Sequence, residues 1–181
     1  VYKRQGATKS LIQRSWETAC EVPSVDEIFV ATDDERIAQA VRKFGGQVIM
    51  TSSNCRNGTE RVAEALAGLA GPADIVVNLQ GDAPLTPPWF ITGLIDEMKR
   101  DPAVQMATPV LQCDGYTLNM FLEDRRNGRV GGTTAVFDLN WDALYFSKEV
   151  LPFTGKPYPH DVKTPVYHHV GAYAYRPQTL A

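Results

Sequence analysis

Asp74-Ile75-Val76-Val77-Asn78-Leu79-Gln80-Gly81-Asp82-Ala83-Pro84-Leu85 is an apolar, β-branched run that breaks off into Gln-Gly-Asp. A short run of this kind, bounded by turn residues, suits a strand covered on both faces. Its polar end then falls at the carboxyl edge of the strand, where open α/β sheets bind their ligands. Gly81 lets the backbone turn sharply and approach a ligand closely, and Asp82 sets a hard oxygen at the strand tip, suited to a divalent cation that carries phosphates. The plainer reading is a strand-to-loop turn in which Asp82 caps the next helix.

Working outward toward the N-terminus, residues 47–50 (Gln-Val-Ile-Met) read as a second strand and residues 59–69 as a helix with Val62, Ala63, Leu66 and Leu69 on one side. Before them, residues 28–32 (Ile-Phe-Val-Ala-Thr) read as a buried strand, followed by Asp33-Asp34-Glu35 at the mouth of a helix through Ile37, Ala38, Val41 and Phe44 that ends at Gly45-Gly46. Ser10 precedes the helical spacing of Leu11, Ile12, Ser15, Trp16 and Ala19, and Pro23 stops it. After the central run, Pro87-Pro88 opens a helix carrying Phe90, Ile91, Leu94, Ile95 and Met98. Strand and helix alternate throughout, which predicts residues 28–32, 47–50 and 74–79 as neighbouring parallel strands with helices on both faces.

Beyond Arg100 the pattern weakens. Residues 104–111 read as one strand, residues 113–129 as a polar, weakly helical stretch, and residues 128–132 as a glycine-rich turn leading into the strand-like 133–137. Residues 143–146 and 167–175 also read as strands that extend the same sheet or form a small flap on it. With no repeat or low-complexity linker, a single domain over residues 1–181 is the expectation. Both ends look cut: Val1-Tyr2-Lys3-Arg4-Gln5 has no initiator Met and no periodicity, and Leu180-Ala181 follows a strand with no closing element.

The 181 residues are 44% hydrophobic, enough for a real core, and the net charge of -3 with no basic stripe argues against nucleic acid or an anionic membrane as the main partner. Cys20, Cys55 and Cys113 are odd in number and widely spaced, so neither a disulfide framework nor a zinc site is indicated and a reducing cytoplasm is the default. No apolar run reaches the roughly 20 residues that span a bilayer.

Three constellations could carry chemistry. Asn54-Cys55-Arg56-Asn57-Gly58-Thr59-Glu60-Arg61 brings amide, hydroxyl and guanidinium groups to a loop entering a helix, where free amides and the positive dipole end meet an anion or a base edge. A capping box from Asn57 or Thr59 with Glu60 explains most of the same residues. His168 and His169 stand in tandem in a strand and so point to opposite faces, which leaves them unable to chelate one metal together. Cys55 beside Arg56 has the makings of an activated thiol, but no positioned His accompanies it.

The succession Val30-Ala31-Thr32-Asp33-Asp34-Glu35, Met50-Thr51 with Asn57-Gly58-Thr59-Glu60-Arg61, Val77-Asn78-Leu79-Gln80-Gly81-Asp82-Ala83-Pro84, Ala143-Leu144-Tyr145-Phe146-Ser147-Lys148 and His169-Val170-Gly171-Ala172-Tyr173-Ala174-Tyr175-Arg176 resembles the CMP-Kdo synthetases, the 3-deoxy-manno-octulosonate cytidylyltransferases. The match covers nearly the whole chain in order. The resemblance implies a Rossmann-like three-layer α/β/α fold of the nucleotide-diphospho-sugar transferase type with a mostly parallel sheet. It also implies a cytoplasmic homodimer that transfers a cytidylyl group from CTP to an acidic sugar such as Kdo, with Mg²⁺ as metal, for lipopolysaccharide synthesis. By the same resemblance Asp82 holds the metal, and Asp82 and Gln80 are the catalytic pair. Asn57, Gly58, Thr59, Arg61 and Gly81 face the nucleotide, and Lys148, His169 and Tyr173 face the sugar and its carboxylate. Strand alternation further predicts His169, Tyr173 and Tyr175 on one face and His168 on the other.

The departures from that pattern are specific. The family's opening strand and basic, glycine-rich phosphate loop are expected ahead of this chain, since Arg4 and Lys9 do not replace them, and its second metal aspartate is expected past Ala181. Gly128 to Gly132 replaces an Asn-Pro-Asn segment, Lys148 stands where an Arg is usual, and His168 stands where an Arg commonly precedes the His. These departures leave room for a sugar other than Kdo, and the chain by itself is expected to be inactive. Two rival readings are a metal-dependent glycosyltransferase of similar fold, which usually shows an Asp-x-Asp pair where only Asp82 occurs here, and a non-catalytic nucleotide-binding domain.

Overall fold

The computed structural model describes residues 9–180, so Arg4 and the opening stretch 1–5 lie outside the described residues. In chain order the elements are α1 (Leu11–Cys20), β1 (Phe29–Thr32), α2 (Glu35–Lys43), β2 (Gln47–Met50), α3 (Gly58–Ala67), β3 (Val76–Leu79), α4 (Pro88–Arg100) and β4 (Met106–Ala107). There follow β5 (Val110–Asp114), α5 (Gly115–Arg126), β6 (Thr134–Phe137), β7 (Ala143–Ser147), β8 (Lys163–His169), β9 (Ala172–Tyr175) and α6 (Pro177–Leu180). The described residues fall into two compact units, one of residues 9–107 and 171–180, the other Thr108–Val170.

In the first unit local chemistry sets the helices. Ser10 caps α1 by accepting from the Gln13 amide, and Asp34 caps α2 by accepting from Arg36. Pro88 opens α4, where its missing N–H costs nothing. α4 buries Ile91, Leu94, Ile95 and Met98, the spacing of one helical face, against Ala172 and Ala174 of β9 with Val77 and Leu79 of β3 packed beside them.

β1 and β2 pair in parallel, Phe29 opposite Gln47 through Thr32 opposite Met50. The expectation for the third strand fails. β3 pairs antiparallel with β9, and β9 antiparallel with β4, giving the order β3-β9-β4. The mostly parallel sheet is thereby corrected to a mixed α/β arrangement, because helix periodicity fixes only the crossovers and says nothing of a strand returning from the chain's far end. Between β1 and β3 runs a cleft of about 1050 Å³, lined by Ile28, Val30, Ile75, Val77, Leu79 and Ile95 among others. Among the described residues each of the two strands has a sheet partner on one side only, and the indole N–H of Trp16, which also lines the cleft, is buried with no acceptor.

The second unit is a four-stranded antiparallel sheet in the order β5-β8-β6-β7. Cys113, Leu118 and Val166 form its buried centre, with Phe121, Leu122, Val150 and Tyr158 packed around them. Two runs read as single strands are each divided. Residues 104–111 break at Thr108-Pro109 into β4 and β5, since Pro109 has no N–H to give to a ladder, and residues 167–175 break at Val170-Gly171 into β8 and β9. The polar stretch 113–129 contains a full helix, α5, whose cap is Asp114 accepting from the Thr117 amide at 2.8 Å. Its buried face is short, Leu118, Phe121 and Leu122, and the exposed Tyr116 and Met120 blur the stripe, which is why periodicity undersold it.

An apolar strand supplied on the N-terminal side of residue 1 should enter the cleft and pair with the open edges of β1 and β3. The extended polypeptide should melt at least about 5 °C above the chain alone, because each 1 kcal/mol shifts a chain of this length by roughly 2–4 °C and a paired central strand is worth several such increments. Equal melting temperatures by calorimetry would show that the cleft gains nothing from it.

Candidate functional site

In the first unit the carboxyl ends of β1, β2 and β3 carry the predicted polar groups. Arg61 of α3 spans them: its guanidinium donates to the Thr51 hydroxyl at 2.5 Å, just past β2, and stands 3.2 Å from Asp33, just past β1. A Cβ on Gly58 would stand 3.6 Å from Asn78 Nδ2, and Asn78 is a buried polar residue of β3. Thr59 and the Tyr175 hydroxyl lie 3.4 Å apart, joining the start of α3 to β9. The loop thus meets all three strands and β9.

Asn57 is the cap of α3, its Oδ1 accepting from the Glu60 amide at 2.9 Å, as the plainer reading had it. Glu60 answers one residue earlier than a capping box requires, accepting from the Arg56 amide and pairing with its guanidinium. Cys55 is no activated thiol: it donates to Glu64, and that hydrogen bond, with burial second, pushes its thiol up from the ordinary range.

Gln80, Gly81 and Asp82 form the exposed turn after β3. The Ser15 hydroxyl of α1, itself buried, donates to the Gly81 carbonyl at 2.9 Å and fixes this turn. The Gln80 amide lies about an ordinary contact from where a Cβ on Gly171 would sit, 3.5 Å from Nε2. Gly81 is not among the glycines with positive φ, so the sharp turn expected of it is not what selects glycine there; its closest constraint is Ile12 Cδ1 at 3.0 Å. Ser15 was missed by sequence reading because a serine at a helix's apolar spacing looks like a filler. Tyr173 and Tyr175 stack on one face of β9, ring centroids 6.1 Å apart, and Tyr173 stands opposite Asn78 in the ladder.

In the second unit, strand register sets Lys148 and His169 about Thr133. Thr134 stands opposite both Ser147 and His168, so the next residue of each strand meets Thr133. Lys148 Nζ donates to Thr133 Oγ1 at 2.8 Å, the His169 amide donates to the Thr133 carbonyl at 2.8 Å, and the His169 Nε2 lies 2.8 Å from Thr108 Oγ1. The His169 ring packs on Phe146 and the His168 ring on Phe121, so the tandem histidines do face opposite ways. The face count that set His169 beside Tyr173 and Tyr175 does not hold, because β8 and β9 belong to different sheets. Burial is the first cause that pushes both imidazoles below their ordinary range, with the Lys148 charge adding to it.

No group of three His, Cys, Asp or Glu side chains among the described residues is placed to hold a metal, and no described helix is long and apolar enough to cross a membrane. A family profile described as Cytidylyltransferase matches residues 7–181. The 3-deoxy-manno-octulosonate cytidylyltransferase of Maricaulis maris is 48% identical over 174 residues, 96% of this chain and 66% of the relative. The protein of the same name from Chlamydia trachomatis serovar L2 is 42% identical over 175 residues, 96% of this chain and 63% of the relative. A solved CMP:2-keto-3-deoxy-manno-octonic acid synthetase in complex with CTP superposes with a TM-score of 0.77 at 35% identity, covering 94% of this chain and 64% of that one. The chain therefore spans just under two thirds of the length of the relatives it matches.

The histidine environment gives a pH test. A group whose pKa is lowered on folding binds fewer protons folded than unfolded, so its stabilising contribution is complete above the unfolded value of about 6.5 and is lost as the pH falls below it. The melting temperature should drop between pH 7 and pH 5.5, and the His168→Phe/His169→Gln variant should show a flatter slope over the same interval. An unchanged slope by calorimetry would mean the two rings titrate as they do in the unfolded chain.

Proposed function

We propose, given that this chain belongs to the cytidylyltransferase family, that its activity is transfer of a cytidylyl group from CTP to an acidic sugar such as Kdo, releasing pyrophosphate, in the synthesis of lipopolysaccharide or a surface polysaccharide. The observation that carries this reading is the Gln80-Gly81-Asp82 turn at the carboxyl end of β3, pinned by Ser15, in a chain 48% identical to a protein named for that reaction.

The sugar hydroxyl would attack the α-phosphorus in line as the bond to the bridging oxygen of pyrophosphate breaks, a step helped mainly by positioning and charge neutralisation. Asp82 offers one exposed carboxylate, which suits Mg²⁺ because that ion takes one or two carboxylates and completes its shell with water and phosphate oxygens. When bound there, Mg²⁺ would neutralise phosphate charge. Gln80 would hydrogen-bond the sugar. Gly58, Thr59 and Arg61, with Asn57 and Gly81, would face the nucleotide, Arg61 already oriented by Asp33 and Thr51. Lys148, His169 and Tyr173 would serve the sugar, the ammonium as a point charge for the carboxylate and His169 as a neutral ring.

A single cytidylyltransferase domain working in the cytoplasm as a homodimer completes the reading. The free cysteines suit a reducing compartment. The dimer is supported by the edge strand β7, whose Leu144 and Tyr145 are 65% and 60% exposed, with Trp141 and Phe153 also bare in the same unit.

In the complete polypeptide, Asp82→Asn should lower kcat for pyrophosphate release at least a hundredfold, about 2.7 kcal/mol of transition-state stabilisation, without moving the melting temperature. UTP and ATP should substitute poorly for CTP. Retention of most activity in Asp82→Asn sinks the metal role. Lys148→Ala and His169→Ala should raise the KM for the sugar far more than that for CTP, and equal effects on both would remove the acidic-sugar assignment. Light scattering should find a dimer that Leu144→Asp converts to monomer, and an unchanged mass would move the interface elsewhere.

A further inference from the structure

Arg125, in the last turn of α5, makes no ion pair among the described salt bridges but spends its guanidinium on three backbone carbonyls. Nε donates to the carbonyl of Lys148, one terminal nitrogen to that of Arg129 at 3.2 Å, and the other to that of Gly132 at 2.7 Å. The targets are not arbitrary. Lys148 and Thr133, the residue after Gly132, are the two members of the 2.8 Å contact between Lys148 Nζ and Thr133 Oγ1. One planar fork therefore holds the main chain at both ends of that side-chain contact.

The surroundings are arranged for the same end. A Cβ on Gly132 would fall 2.6 Å from the Phe121 ring, so glycine is what allows the loop to lie against α5 and bring its carbonyl within reach of Arg125. The segment after β7 is held a second time by Thr134, whose hydroxyl donates to the Glu149 carbonyl at 2.7 Å and accepts from the Leu151 amide. Thr133 passes the constraint on, since its carbonyl accepts from the His169 amide. Lys148 itself is exposed, a long side chain that would sample many rotamers if its backbone were free to move.

We propose that Arg125 is a positioning residue that presets Lys148, and through Thr133 the His169 backbone, for an anionic group of the sugar; this rests on the role assigned to Lys148 above. A lysine cannot replace it, because one ammonium lacks the fixed fork that meets diverging carbonyls at once.

The test uses the complete polypeptide with Arg125→Ala, Arg125→Lys, Lys148→Ala and the Arg125→Ala/Lys148→Ala double variant, assayed with CTP and with Kdo as the acidic sugar. Arg125→Ala should raise the KM for the sugar about tenfold and leave that for CTP within about twofold, and Arg125→Lys should recover little of the loss. In the double variant the effects should not multiply, since a residue acting only through Lys148 has nothing left to position. Independently of turnover, acylation of the Lys148 amine by a soluble amine-reactive ester, followed by peptide mass spectrometry, should quicken severalfold in Arg125→Ala while Lys99 is unaffected. Multiplying effects, parallel rises in both KM values, or unchanged Lys148 labelling in both Arg125 variants would overturn the proposal. If Lys148→Ala leaves the sugar KM unchanged, the role of Lys148 fails instead, and the labelling rate still decides whether Arg125 holds it.

Discussion

The first unit depends on the pairing of β9 with β3. Val76 to Leu79 run antiparallel to Ala172 to Tyr175, and the opposite edge of β9 takes β4, so a single short strand holds two others that have no pairing with each other. The same strand supplies Ala172 and Ala174, wholly buried beneath α4, and Tyr175, whose hydroxyl reaches Thr59. Small residues at 172 and 174 are what let the helix approach. A larger side chain at either would push α4 away from the sheet that bears the Gln80 turn, so packing and the geometry of the candidate site rest on the same two alanines.

That strand also explains what could be read in advance and what could not. The helices with a clear start and one apolar face, α1, α2 and α4, were legible because each is decided within about a dozen residues by a cap or an opening proline, a stripe and a stop. The sheet was not. Whether β3 lies next to β1 or next to β9 is a question about residues at the other end of the chain, and an apolar run reads the same in parallel and antiparallel company. The two strand breaks, at Thr108-Pro109 and Val170-Gly171, show the same limit: continuous β-propensity hides the point at which the chain passes from one sheet to another.

For the candidate site, residue types were legible and their company was not. The Gln80-Gly81-Asp82 turn and the Asn57 to Arg61 loop were recognisable because strand ends and helix starts expose unpaired polar groups whatever the fold. Their supports come from distant sequence: Ser15 beneath Gly81, Asp33 and Thr51 around Arg61, Thr133 between Lys148 and His169. Asn57 illustrates an ambiguity that chemistry leaves open, since an amide that caps a helix is also at the helix end where an anion or a base would be met.

The chain leaves the first unit from β4 at Ala107 and rejoins it at Gly171, just ahead of β9, and these two strands are hydrogen-bonded neighbours, Ala107 opposite Ala174. On the ribosome this imposes an order. The segment Thr108–Val170 emerges and can close its own antiparallel sheet while the earlier unit still lacks the strand that covers α4. The inserted segment is thus able to mature ahead of its host, and the apolar face of α4 lacks part of its cover until β9 has been synthesised, a window in which chaperone occupancy would be greatest.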